Sequence, residues 1–184
     1  MDRGLGECPF CEAQFIQGTD TCEHCGQSLA GFHLPTPASE LELALLTDRV
    51  RIFRNRPVLV ISSTMPVREA IRVLAYNKIG CVVVVEQGEV AGIFTERDVL
   101  MKVNDTLEEV GDLPVADFMT SRVETLPLDA KVAFAVHRMD LGGYRHIPIV
   151  SDRHEPIGLF SVRDILNYLQ RTISLGHARR KAAN

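Results

Sequence analysis

The chain has 184 residues, a net charge of −4 and 46% hydrophobic side chains, enough to bury the core of one ordinary domain with a small appendage. Apolar runs reach five residues, as at Cys81 to Val85, far short of the ~18 or more that span a bilayer, and the acidic start is unlike a signal peptide. The expectation is a globular cytoplasmic protein with no membrane association. Within the first 30 residues Arg3 is the one basic side chain against Asp2, Glu7, Glu12, Asp20 and Glu23, so this segment repels phosphate backbones and nucleic-acid binding is not expected of it.

Two CxxC pairs, Cys8-Pro9-Phe10-Cys11 and Cys22-Glu23-His24-Cys25, stand ten residues apart in a stretch too short to build a hydrophobic core. A CxxC turn aims two sulfurs at one point, and two facing turns complete a tetrahedron around a metal whose binding supplies the missing folding free energy. Cys8, Cys11, Cys22 and Cys25 are therefore the predicted ligands of one Zn(2+). Iron held as in rubredoxin uses the same four thiolates, so zinc and iron both stay open. With four protein ligands no position is left for a catalytic water, and the site reads as structural. The two turns resemble the knuckles of a zinc ribbon, including Pro9 in the first and Gly26 just after the last ligand. Cys81, at the head of a valine run, reads as core packing.

Pro35 to Pro37 break the chain after this segment. Ser39 and Glu42 form a capping-box pattern before Leu41, Ala44 and Leu45, which predicts a connecting helix from about Glu40 to about Phe53.

From Val58 onward the chain repeats itself. Val58 to Ile61 and Val123 to Leu126 are both strand-like. Thr64 and Asp129 read as N-caps ahead of Val67, Ala70, Ile71, Leu74 and of Val132, Ala135, Val136, Met139, two amphipathic helical sets at an offset of 65. The strands Cys81 to Val85 and His146 to Val150 follow. A turn then leads in each copy to the strongest match, Gly92-Ile93-Phe94-Thr95-Glu96-Arg97-Asp98 and Gly158-Leu159-Phe160-Ser161-Val162-Arg163-Asp164, where the offset is 66. One residue has been inserted in the intervening hairpin, where insertions are tolerated. Each copy reads β-α-β-β-α and is too short to cover its own sheet, so the two copies are expected to pack on each other.

The order of elements, the GxFTxRD and GxFSxRD segments, and the stretch Gly143 to Val150 closely resemble a tandem pair of CBS repeats, a Bateman module. The fold this implies is α+β, with the small N-terminal ribbon followed by a pseudo-twofold pair. The expected boundaries are a ribbon at 1–30, a linker with its helix at 31–54, repeats at 55–112 and 113–172, and a tail at 173–184. The resemblance implies two clefts for AMP, ADP, ATP or a related adenosyl ligand, and a homodimer formed through the repeats. A protein partner for the ribbon is the natural extension of a regulatory role.

Thr95 and Ser161 stand where a strand turns into a helix, so their hydroxyls and the backbone N–H groups behind them suit a phosphate. Asp98 and Asp164, three residues on, offer a carboxylate to the two ribose hydroxyls. Arg97 and Arg163 project from the same turns, Arg145 and His146 stand beside the expected cleft, and Ile147, Val60 and Thr125 are expected to line the base. The same Thr-x-x-Asp and Ser-x-x-Asp spacing also makes capping boxes in proteins that bind nothing. Where the second copy has Arg145-His146 the first has Gly80-Cys81, so the clefts are chemically unequal. No nucleophile stands with a base and no open metal position is present, so an enzyme is not expected.

Overall fold

The computed structural model describes residues 5–8, 11–16, 18–29, 40–53 and 58–182. Pro9, the break at Pro35 to Pro37 and the cap at Ser39 lie outside them. The chain forms two compact units, Met1–Phe53 with Leu128–Arg145 and Ser161–Asn184, and Arg54–Pro127 with His146–Phe160. The first repeat, 55–112, lies within the second unit, and the second repeat, 113–172, contributes to both.

In the first unit, strands β1 (Leu5–Glu7) and β2 (Gln14–Ile16) pair antiparallel. The two cysteine turns share one build. Cys8 N–H donates to Ala13 O and Glu12 N–H to Cys8 O, both at 2.9 Å, and Cys22 N–H donates to Gln27 O and Gly26 N–H to Cys22 O, both at 2.8 Å. Glu12 and Gly26 take matched places with positive φ, 59° and 71°. Cys8, Cys22 and Leu29 are buried there with Phe15 against them, a core too small to hold a fold by itself.

Helix α1 (Glu40–Thr47) is shorter than the periodicity predicts, and Val50–Phe53 forms a separate 3-10 turn. The helix stops because the backbone beyond it is engaged elsewhere. Val132 N–H donates to Asp48 O at 2.9 Å, Val50 N–H to Ala130 O at 2.8 Å and Arg51 N–H to Leu128 O at 3.0 Å. Val50 is fully buried in consequence.

The second unit opens with β3 (Val60–Ser62), α2 (Val67–Asn77), β4 (Cys81–Glu86) and β5 (Glu89–Thr95). A helical run then changes pitch along its length: α3 (Glu96–Asp98), a π-helical turn at Val99–Val103, and α4 (Leu107–Val110). Next come β6 (Thr120–Ser121) and β7 (Leu126–Pro127), then α5 (Val132–Gly142) of the first unit, β8 (His146–Val150), β9 (Pro156–Ser161) and α6 (Val162–Ala182). The stretch expected as a tail from 173 continues α6. In the first unit α1 packs against α5 and α6.

Two sheets result, ordered β3-β4-β5-β6 and β7-β8-β9. The repeat is visible in their register, since Ile61 lies beside Val84 as Leu126 lies beside Ile149, both in parallel pairs. The strand expected over Val123 to Leu126 is reduced to β7, while β6 joins β5 antiparallel at Gly92 and Ile93. Gly92 is required at that edge, because a Cβ there would stand 2.5 Å from the Thr120 carbonyl. Val123 and Leu159 of the second copy pack on Cys81, Val83 and Ile93 of the first. The larger core gathers Ile61, Val67, Ala70, Leu74, Val82, Val84, Phe94, Val103 and Val115. The helical spacing is thus realised in α2 by Val67, Ala70 and Leu74 and in α5 by Val132, Ala135 and Met139.

Neither predicted cap acts as one. Helix α2 starts after Pro66 and α5 after Lys131, both without a side-chain cap. Thr64 instead meets the Ser62 hydroxyl at 2.9 Å, and Asp129 pairs with Arg51. Tertiary backbone bonds do the capping: Val67 N–H donates to Leu113 O at 3.0 Å and Val132 N–H to Asp48 O at 2.9 Å.

Candidate functional site

The four cysteines predicted as metal ligands lie together. The Sγ atoms of Cys8 and Cys25, and of Cys11 and Cys22, lie 3.7 Å apart, and all four fall within 4.8 Å of one another. A tetrahedron with metal–sulfur bonds of about 2.3 Å has edges of roughly 3.8 Å, so the sulfurs fit one closed metal site. They are too far apart for disulfides, whose sulfurs lie about 2.05 Å apart, and all are free thiols. These features fit a small zinc ribbon.

Its acidic side chains meet cations of the first unit. Asp20 pairs with Arg49 and, at 2.7 Å, with Lys131, and Glu23 meets Arg138 at 3.0 Å. A Cβ on Gly18 would come within 3.5 Å of Ala133, so the ribbon lies on the first turns of α5. In the repeat, Arg49 and Lys131 correspond to Pro114 and Pro66, which form the matching bridge without charge. The cations therefore belong to the ribbon's seat rather than to the repeat.

At the end of β5, Thr95 caps α3. Asp98 N–H donates to Thr95 Oγ1 at 3.3 Å, while Asp98 Oδ2 accepts from Thr95 N–H at 3.0 Å and from its hydroxyl at 2.6 Å. The sequence reading missed two further partners of this carboxylate. Oδ1 accepts from the Thr120 hydroxyl at 2.9 Å and from Lys102 Nζ at 2.8 Å. Lys102 stands one helical turn beyond Asp98, a spacing the sequence displays; Thr120 arrives through the β5–β6 pairing and leaves no such trace. Burial by itself would raise the pKa of Asp98, but the hydrogen bonds from Lys102, Thr95 and Thr120 and the Lys102 charge outweigh it and hold the carboxyl below its ordinary value. Burial, with the Asp98 charge behind it, pushes the Cys81 thiol up to about 12, consistent with an inert core residue.

At the end of β9, Ser161 repeats the cap. Asp164 N–H donates to Ser161 Oγ at 3.3 Å, and Asp164 Oδ2 accepts from Ser161 N–H at 3.0 Å and from its hydroxyl. The second carboxylate oxygen, Oδ1, accepts from none of the described residues. Val162 N–H donates to Arg145 O at 3.1 Å, as Glu96 N–H does to Gly80 O at 3.2 Å in the first copy. Arg145, Ser161, Arg163 and Asp164 thus gather at the start of α6, with both arginines exposed.

The remaining candidates lie in the second unit. Arg97 is exposed on α3, His146 and Thr125 are half-buried, and Val60 is 40% exposed on β3. Ile147, expected in a cleft wall, is fully buried in β8.

The sequence profile of the CBS domain family matches residues 51–105 and 115–171. A protein of Acidianus ambivalens known only as an uncharacterized 17.7 kDa protein is 31% identical over 125 residues, which cover 67% of this chain and 74% of that one. Two further relatives are matched over 63% and 50% of their own lengths. The CBS domain protein PAE2072 of Pyrobaculum aerophilum, solved with AMP, superposes with a TM-score of 0.59 at 26% identity, covering 67% of this chain and 99% of that one. The CBS pair of protein MJ0100, solved with 5'-methylthioadenosine and S-adenosyl-L-methionine, gives 0.60 at 22% identity, covering 67% and 96%. Matched twice in sequence and shared in fold with solved pairs, the second of its two parts places this chain in the CBS domain family, as a tandem pair of CBS repeats behind a four-cysteine ribbon.

Proposed function

We propose that this chain is a regulatory, non-catalytic protein whose CBS pair binds an adenine nucleotide and whose ribbon holds one zinc ion in a structural role. The start of α6 carries the nucleotide reading. There the Asp164 carboxylate spends one oxygen on the cap and keeps the other for a ribose hydroxyl. Arg145 and Arg163 supply cations for a phosphate, beside the positive end of a 21-residue helix. The adenosyl ligands in the PAE2072 and MJ0100 structures support the class of ligand. Zinc, when bound, supplies the folding free energy of the ribbon, and four thiolates leave it no open position for chemistry.

A homodimer formed through the repeats belongs to the same reading. Exposed apolar residues recur at matched places in both copies: Tyr76 (88% exposed) and Leu141 (58%) on α2 and α5, and Leu100 (66%) and Leu166 (61%) after the two caps. A protein partner reached through the ribbon would receive the signal.

Thermal unfolding with AMP, ATP, S-adenosylmethionine and GTP tests the reading. A ligand that binds only the folded state at 100 times its Kd stabilises it by about 2.7 kcal/mol, so a clear rise in Tm is expected with at least one adenosyl compound and none with GTP. Equal shifts with ATP and GTP would reduce the site to phosphate binding, and no shift with any of the three adenosyl compounds would overturn the nucleotide reading.

A further inference from the structure

The two capping boxes are alike in sequence and different in what they leave free. A carboxylate has about four lone-pair sites, and Asp98 fills all of them from within the chain: Thr95 N–H and Thr95 Oγ1 on Oδ2, Thr120 Oγ1 and Lys102 Nζ on Oδ1. The Lys102 ammonium is itself consumed, since it also donates to Phe118 O at 2.8 Å and to Met119 O at 3.1 Å. With Asp98 only 5% exposed, this is a closed network binding the end of β5 to the 118–120 segment. Among the described residues Asp164 has the cap alone. The place of Lys102 is taken in the second copy by Tyr168, whose hydroxyl donates to Asp48 at 2.8 Å and makes no bond to Asp164.

Charge separates the two places in the same direction. The first has Glu96 beside Gly80, with Glu96 Oε2 standing 3.0 Å from where a Cβ of Gly80 would be. The second has Val162 beside Arg145 in the same backbone arrangement. A phosphate is repelled by the first pair and attracted by the second.

We propose that each chain binds one adenine nucleotide, at Asp164 and Arg145, and that Lys102 and Thr120 convert Asp98 into a structural strut that withholds the first repeat's carboxylate from ribose. This rests on the nucleotide reading above and assigns its stoichiometry and its place. The sequence alone, which carries the motif in both copies, leaves open whether one or both sites are occupied.

Calorimetric titration of the full chain with AMP, ATP and S-adenosylmethionine tests it. The wild type is expected to bind one ligand per chain, Asp164→Asn to weaken it tenfold or more, and Lys102→Met to leave the affinity of the Asp164 site unchanged. Two ligands per chain would overturn the assignment and leave the nucleotide reading standing. So would a loss in folded Asp98→Asn comparable with that in Asp164→Asn. No heat with any of the three ligands would overturn the nucleotide reading itself, and the assignment with it. The wild-type stoichiometry depends on no variant, and together with the Asp164→Asn titration, where unchanged affinity would overturn the assignment, it decides the matter even where Asp98→Asn fails to fold.

Discussion

Asp98 carries the most informative single-residue prediction. Its carboxyl is held below its ordinary value by Lys102, Thr95 and Thr120 against the opposing effect of burial. A carboxyl whose folded pKa is depressed contributes stability that is fully present above the unfolded value, about 3.9, and is lost as pH falls through the folded value. Asp98→Asn, which keeps the shape and loses the charge, should therefore cost roughly 2 kcal/mol at neutral pH, the scale of a hydrogen bond to a charged group. In denaturant unfolding at a series of pH values, the gap to the wild type should be constant from pH 8 to about 5 and close below about 4. A gap independent of pH down to 3 would mean that the charge of Asp98 stabilises nothing. The same arithmetic explains why the motif was legible in sequence while its role was not. The spacing Thr-x-x-Asp shows the cap, but whether the second oxygen is spent or free depends on Lys102, one turn along the helix, and on Thr120, which only the fold brings in.

Among the elements, the ribbon behaves differently from a freely tethered appendage. Its core of Cys8, Cys22 and Leu29 contains no residue of the repeats, so removing the metal should unfold it and leave the repeats' cores intact. Its contacts are ionic: Asp20 with Arg49 and Lys131, and Glu23 with Arg138. Cys22→Ala is expected to abolish metal binding, measured by elemental analysis of protein kept reduced, where the wild type should give one zinc per chain. The repeats should lose about 1 kcal/mol or less, because ion pairs whose partners keep some access to solvent contribute little each. Hydrogen exchange should quicken at the start of α5 in this variant; exchange there unchanged would mean the ribbon is not seated on α5 in solution. The two CxxC turns and their pairing were fully legible, since short-range spacing fixes them. The seat was not, because nothing local distinguishes Lys131 and Arg138 from solvated cations on a helix.

For the molecule as a whole, the matched exposed apolar residues of α2 and α5 make the dimer testable. Leu141→Glu should shift the chain toward a monomer in light scattering while leaving the helix intact, as Leu141 is 58% exposed and glutamate is a good helix former. An unchanged molecular weight would remove α5 from any interface.

The repeat, its helices, most of its strands and the four-cysteine cluster were legible in the sequence, because all of these are set by local periodicity and spacing that a chain displays without folding. The sequence also determined the family, since two copies of one motif in register carry more information than either alone. The tertiary structure decided everything that depends on what a distant segment brings. It stopped α1 at Thr47 by engaging Asp48 to Arg51 with the 128–132 segment. It made backbone bonds rather than Thr64 and Asp129 the caps of α2 and α5, and it buried Ile147 fully within β8. It also broke the apparent equality of the two Asp motifs, since one carboxylate takes further donors from the next helical turn and from Thr120, and the other meets only its own cap among the described residues. Hydrogen-bond capacity is finite, and how it is allotted is settled only when the chain has folded.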